Sequence, residues 1–306
     1  MSALTACQND EGVEQELSES IKLEATVSSA GSRASSRTTT NSQGNVTFAE
    51  GDCIGFYMPE KENSGKWTYT SGDWIADGTY EWTDKVNPYT FCAYYPFAES
   101  APRTAIPMPD LTTQQGEVDQ LSKYDFLVAR CTTSYKDDAG TVSFTKGDAF
   151  KHVYALVSIT VKKDKETENV VLSQLSLKAD NLLTAHTYQF GAQPEEDKAV
   201  AAELNKNELS LSDLTAEVPA EGYSRSFIVN PVTLSGKVNF SISYTRDDIR
   251  YTASTTALGS QLLAGNLYKL TVKLKKNGLE VIGNTVEDWA VNSLPDANVE
   301  EVPVEE

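Results

Sequence analysis

The chain has 306 residues, enough for two domains at about 150 residues each. It is 40% apolar and 9% aromatic, which permits a buried core and excludes wholesale disorder. The net charge of −18 gathers at the ends, where residues 1–20 hold five acids and residues 280–306 hold eight, with no Lys or Arg in either stretch; no clustered basic footprint for phosphate backbones is visible, so nucleic acid is not an expected partner.

At the start, Leu4-Thr5-Ala6-Cys7 is a short run of apolar and small residues ending in cysteine, followed by Gln8-Asn9-Asp10-Glu11. It resembles a bacterial lipobox, in which the thiol of the cysteine accepts a diacylglycerol; Cys7 is the lipidation candidate, and the lipid would tie the chain to an outer membrane. From Gln8 to about Ser20 no apolar period appears, which reads as a solvated tether reaching at most about 45 Å. Ile21, Leu23, Ala25 and Val27 then alternate with Lys22, Glu24 and Thr26, an edge-strand pattern. Ser28–Gln43 is rich in Ser, Thr and Gly, and holds Arg33 and Arg37, the only basic residues between Lys22 and Lys61. Exposed loops are where proteases cut. A trypsin-like enzyme would cleave after Arg37, with Arg33 second, and would detach the anchor together with the Ile21–Val27 strand.

In the first half, strands are expected at Ile54–Met58, Trp67–Thr70, Thr79–Trp82, Tyr89–Tyr95 and Phe126–Ala129. Gly72-Asp73, Asp77-Gly78, Asn87-Pro88 and the proline-rich Pro102–Pro109 supply turn chemistry between them. Trp67, Trp74 and Trp82 fall within sixteen residues. They either cap the open end of a sandwich core or form an aromatic platform for sugar rings. Cys53, Cys92 and Cys131 lie in or beside strands without CxxC spacing, so a disulfide in an oxidising compartment is left open. Asp137-Asp138-Ala139-Gly140 is too short for a calcium loop and reads as a hairpin turn.

In the second half the period-two signal is stronger. Val153, Ala155, Val157, Ile159 and Val161 line one face, with His152 expected to be a packed or hydrogen-bonded residue at a domain junction. No unbroken apolar run exceeds five residues, the length of Val153–Val157, against roughly 18–20 for a membrane-spanning helix. Val171-Leu172 with Leu175 and Leu177 form the next strand, and Phe227-Ile228-Val229 another. Val238–Tyr244 and Ile249–Ala253 pair across Asp247-Asp248. Tyr268–Leu274 turns at Asn277-Gly278 into Leu279–Val281. The best helix signal, Glu195–Leu204, reads equally as a loop insertion. The chain therefore divides into a lipobox and tether (residues 1–20), an N-terminal sandwich (21–146), a C-terminal sandwich (147–290) and an acidic tail (291–306). The architecture is all-β, two β-sandwiches.

Chemistry-bearing motifs are scarce. His152 and His186 are the only histidines, and there is no GxSxG, GxGxxG, GxxxxGK or HExxH. No catalytic site, metal or cofactor is expected, and the chain does not read as an enzyme.

Several segments together resemble the fimbrillin family, type V pilins and related surface lipoproteins of Gram-negative anaerobes. They are Gly51-Asp52-Cys53-Ile54-Gly55-Phe56-Tyr57, Tyr94-Tyr95-Pro96, Asp125-Phe126-Leu127-Val128-Ala129 and Phe150-Lys151-His152 with Ala155 and Val157. Ala264-Gly265-Asn266-Leu267-Tyr268 follows, then Ile282 and Trp289. The resemblance implies two transthyretin-like Greek-key sandwiches, a lipoprotein precursor, and polymerisation with other fimbrial subunits outside the cell once a protease removes an N-terminal segment. It departs from the pattern at Phe126, where the family has an aliphatic residue, and in the short, very acidic tail after Trp289. A structural subunit assembled by strand exchange is the leading expectation, with Val299–Val304 as a poor candidate donor strand because of its acids and proline. The alternative is a surface-anchored module that binds a host protein or glycan without polymerising.

Overall fold

The computed structural model describes residues 20–28, 48–201, 205–276 and 278–289. Strands dominate, as the alternating sequence requires. In the first half, six strands form an antiparallel sheet in the order Asp73–Ala76, Gly65–Thr70, Cys53–Tyr57, Tyr89–Tyr95, Leu127–Thr133, Lys151–His152. One face is covered by a two-stranded parallel sheet, Lys22–Ala25 on Thr141–Phe144. Between them lies an aromatic core in which Phe56 stacks on Phe91 at 5.6 Å and meets Trp67 and Phe144 edge-on.

The opposite face of the same six-stranded sheet is also buried. Phe91, Ala93 and Tyr95 point into the first core, whereas Cys92 and Tyr94 belong to the second. This explains the unbroken apolar run Phe91-Cys92-Ala93-Tyr94-Tyr95, since a strand buried on both sides has no polar face to show. Tyr94 is accommodated because Gly55 stands opposite it. A Cβ at Gly55 would lie 2.0 Å from Tyr94 Cε1.

The second half is a sandwich of a four-stranded and a five-stranded sheet. The first runs Tyr223–Val229, Ala155–Lys163, Asn266–Lys275, Gly278–Asp288, with a parallel central pair. The second runs Glu208–Leu211, Val170–Lys178, Asn239–Arg246, Ile249–Thr255, with Ala216–Glu217 also on Val170–Lys178. Pieces of the first half complete this core. Ile106, Leu111, Leu121 and Phe126 are buried in it, and Ile106–Pro107 pairs with His186–Gln189. The Gln114 side chain accepts from Ile228 N–H at 2.8 Å and donates to Ile228 O at 2.7 Å, acting as a one-residue strand on the free edge of Tyr223–Val229. Phe150 packs in the first core, Lys151–His152 pairs with Leu127–Val128, and the strand that opens the second sandwich begins at Ala155.

Several expected elements differ in detail. Thr79–Trp82 forms no strand. Its backbone is used in a single bridge, Ser20 to Glu81, and the strand in this region is Asp73–Ala76, paired with Gly65–Thr70 through a two-residue turn at Ser71-Gly72 with φ of 54° and 97°. The Glu195–Leu204 helix signal gives a 3-10 turn at Pro194–Glu196 and a strand at Lys198–Ala201. Ala199 and Ala201 are exposed, with no apolar partner face, and the open edge of His186–Gln189 offers backbone hydrogen bonds instead. Asp137–Gly140 closes a short capped helix, Tyr135–Asp138, whose N-cap Ser134 accepts from Asp137 N–H and whose C-cap Ala139 is left-handed. Lys275 pairs with Gly278, so Gly278 (φ 137°) opens the strand rather than sitting in the turn; Asn277 lies outside the described residues.

Candidate functional site

The segment Ser20–Ser28 fills a slot over the first core. Ile21, Leu23 and Val27 are 6%, 8% and 7% exposed, while Lys22, Glu24 and Thr26 face solvent, as the alternation in sequence dictates. Its backbone is fastened along its length. Ile21 N–H donates to Tyr80 O at 2.8 Å and Lys22 N–H to Gly140 O at 3.0 Å. Thr26 N–H donates to Phe144 O at 2.9 Å, Ser28 N–H to Phe150 O at 2.7 Å, and Phe150 N–H returns to Thr26 O at 2.9 Å. Three loops and strands from distant parts of the half thus converge on nine residues. Burying three aliphatic side chains at about 1.5–3 kcal/mol each contributes about 4.5–9 kcal/mol, comparable to the whole stability of a domain. Removal would expose Val142 and Phe144, both 0% exposed, and take from the carbonyls of Phe144, Phe150 and Tyr80 the donors that the strand supplies.

The chain on either side of this strand carries the other expected sites. Cys7, Arg33 and Arg37 lie outside the described residues, which end at Ser28 and resume at Phe48. The expected tail donor Val299–Val304 also lies outside them.

Trp67, Trp74 and Trp82 are brought together, and they lie inside the first core at 3%, 7% and 5% exposure. Trp82 Nε1–H donates to Gly140 O at 3.0 Å, and its ring meets Phe91 and Tyr135 edge-on. Trp74 packs edge-on against Phe48. Their indole faces are occupied by neighbouring rings, not turned to solvent.

The Gly51–Tyr57 segment has a local physical logic. Gly51 turns at φ 87°, Asp52 accepts from Ala49 N–H at 2.6 Å and from Tyr95 hydroxyl at 3.2 Å, and Gly55 makes room for Tyr94. Burial raises the Asp52 carboxyl above the ordinary range, against the lowering effect of those bonds.

Where the halves meet, His152 Nδ1 lies 3.0 Å from Oδ1 and 2.9 Å from Oδ2 of Asp125, so Nδ1–H donates to the carboxylate. Asp125 also accepts from Phe126 N–H. The His152 ring stacks on Trp289, which is fully buried and whose backbone N–H donates to Gly265 O at 2.6 Å. The expected packed histidine thus acquires two partners, one of which, Asp125, sequence reasoning had placed only within a motif. Across the same junction Arg130 pairs with Asp197 and donates to Gly191 O.

Cys53, Cys92 and Cys131 are all free thiols. Cys92 stands opposite Arg130 and Cys131 opposite Phe91, so the two point to opposite faces of the sheet and cannot bridge. Burial pushes the Cys92 thiol up to about 11 and the Cys131 thiol up to about 12. Among the described residues no group of three His, Cys, Asp or Glu side chains is arranged to hold a metal ion.

A family model described as fimbrillin-like matches residues 33–289, which takes in both sandwiches as far as the buried Trp289. Solved structures align over most of the chain. A candidate cell adhesion protein of Bacteroides uniformis is 21% identical with a TM-score of 0.60, covering 89% of this chain and 99% of its own. One of Bacteroides ovatus is 18% identical with a TM-score of 0.57, covering 89% and 98%. The tip fimbrial protein Mfa3 of Porphyromonas gingivalis, with its C-terminus truncated, is 10% identical with a TM-score of 0.48, covering 88% and 99%. No curated protein matches the chain. The first two likenesses carry the fold alone, and the family match, over more than three quarters of the sequence, carries the assignment: the chain belongs to the fimbrillin-like family.

Proposed function

We propose that the protein is a structural fimbrial subunit that holds its own N-terminal strand in place until a protease removes it, and then accepts a strand from a neighbouring subunit. The observation that carries this reading is the slot filled by Ser20–Ser28. Three buried aliphatic side chains and a row of backbone hydrogen bonds belong to a segment that enters the domain from its N-terminal end and is joined to the rest only through residues 29–47. An empty slot of this kind is a costly edge, and a strand from another chain satisfies the same carbonyls and apolar pockets.

In this reading the chain is exported as a lipoprotein precursor, lipidated at Cys7 and held at the outer membrane. Cleavage after Arg37, or after Arg33, releases the anchor and the Ile21–Val27 strand in one step. The released subunit polymerises with copies of itself or with other fimbrial subunits at the cell surface, and its role is structural and adhesive, not catalytic. Transthyretin-like Greek-key topology in both sandwiches belongs to the same proposal.

Limited trypsin treatment followed by size analysis and electron microscopy tests it. Cleavage between Ser28 and Phe48, loss of the strand and a shift to long oligomers are the expected results. Cleavage there with a monomer that keeps its size overturns strand exchange and favours an anchored binder.

A further inference from the structure

We propose that the second sandwich carries a binding site for a short saccharide bearing a carboxylate, in a cleft between the 213–215 loop and the outer face of the strands Asn239–Arg246 and Ile249–Thr255. The cleft has a volume of about 660 Å³, within the range of roughly 300–1,000 Å³ occupied by small-molecule sites. This proposal goes beyond strand exchange and does not rest on it.

The strand register gathers the polar side chains. Ser243 stands opposite Thr252, and Thr245 opposite Arg250, so all four share one face. Tyr244 and Tyr251, also opposite each other, stack at 5.4 Å and form the floor on which that face rests. Two departures from regular backbone occur at the same place. The register of Val170–Lys178 slips between Leu172 and Gln174, leaving Ser173 as an extra, bulged residue at the cleft. Asp213 takes a left-handed conformation with φ of 58°. Leu214 fastens the loop to the bulge, because its N–H donates to Ser173 O at 3.0 Å while its side chain packs on the core. Asp213 and Thr215 therefore line the cleft from a tethered loop.

The chemistry of the lining selects the ligand class. Among the described residues, the side chains of Arg250 and Asp213 make no hydrogen bond or ion pair, so a guanidinium and a carboxylate both stand open in one concavity. A planar guanidinium takes a carboxylate through two parallel N–H bonds. The Asp213 carboxylate accepts from sugar hydroxyls, and the hydroxyls of Ser173, Thr215 and Thr245 both donate and accept. Leu214, packed on the core but only half-buried, provides the small apolar surface that a sugar ring needs for its C–H groups. A phosphate dianion fits poorly, because Asp213 would repel it and only one cation lines the cleft. An apolar peptide fits poorly as well, because hydroxyl groups dominate the walls.

The test uses the uncut, full-length monomer, so its outcome is separate from that of the polymerisation experiment. Calorimetry and saturation-transfer NMR are run with disaccharides ending in glucuronate, galacturonate or sialic acid, each paired with a neutral counterpart, and with inorganic phosphate. At least one acidic sugar is expected to bind at least tenfold tighter than its neutral counterpart. Arg250→Ala removes that preference, Asp213→Asn weakens acidic and neutral sugars alike by several-fold, and both variants keep the parent melting temperature. Binding that does not saturate for any acidic sugar, equal binding of acidic and neutral partners, unchanged binding in Arg250→Ala, or tighter binding of phosphate overturns the proposal.

Discussion

His152 lies face to face on Trp289, with ring centroids 3.8 Å apart and planes 8° apart, while its Nδ1–H is held by the carboxylate of Asp125. The stack joins the last strand of the first sheet to the end of the last strand of the second sandwich. Trp289→Ala deletes a fully buried indole and is expected to cost about 3–5 kcal/mol. His152→Ala leaves Asp125 buried with only the Phe126 N–H as partner, at a cost of about 1–3 kcal/mol. Because the two residues touch, the double variant should lose less than the sum of the single losses, which denaturant titration of all four proteins would read as a double-mutant cycle.

The strand in the slot should be sensitive on one face only. Leu23→Ala is expected to destabilise by about 2–4 kcal/mol, and Lys22→Ala, one residue away on the solvent face, by less than about 0.5 kcal/mol. A synthetic peptide of residues 20–28, added after the natural strand has been cleaved off, should restore part of the lost melting temperature. A peptide with Leu23→Asp should not.

Thiol chemistry should separate the cysteines. In a Cys7→Ser variant at pH 8, Ellman's reagent should meet the half-buried Cys53 first. Cys92 and Cys131 should react only when the protein unfolds, since burial holds them at about 11 and about 12. Both folded values lie above the 9.0 of an ordinary cysteine thiol, so the contribution of these thiols to stability is complete below pH 9. It declines as pH rises from about 9 toward 11–12, where the unfolded thiols have ionised and the folded ones keep their protons. Urea midpoints measured from pH 8 to 11 should fall, and replacing both residues by Ala should flatten the fall.

The turn between the strands Asn239–Arg246 and Ile249–Thr255 places Asp247 and Asp248 at φ of 48° and 63°. Arg246 pairs directly with Ile249, so these two residues are the whole loop. Both positions of such a turn require positive φ, and glycine is favoured at the second. Asp248→Gly should raise the melting temperature slightly, corresponding to under about 1 kcal/mol. Asp248→Val should lower it, because a β-branched side chain resists that conformation.

The strands legible in sequence are those with one wet face, such as Asn239–Arg246 and Asn266–Lys275, where every second residue is polar. Even the Ser173 bulge is written in the spacing, because the inward residues Val170 and Leu172 are followed by Leu175 and Leu177, one step out of phase. Thr79–Trp82 misled because its aromatic residues reach the core from an irregular loop, with Tyr80 and Trp82 inserted individually. Glu195–Leu204 misled because alanine favours helix only where no neighbouring strand edge competes. In the slot, the alternation of Ile21–Val27 was readable, but its partner was not. Pairing with Thr141–Phe144 spans more than a hundred residues and is parallel, and no local pattern encodes that. Asp125 was invisible as a partner of His152 for the same reason.

Because Tyr89–Tyr95 and its neighbours present one apolar face to each core, the six-stranded sheet is a party wall between two rooms. Neither half can be taken away without exposing the wall. A fragment ending near residue 146 would show Tyr57, Cys92 and Tyr94 to water, and a fragment beginning there would lack Ile106, Leu111, Leu121 and Phe126. The two sandwiches should therefore melt in one transition, with equal calorimetric and van't Hoff enthalpies. A subunit so built would transmit a pull on one sandwich directly to the other, and would behave under tension as one rigid link in a chain.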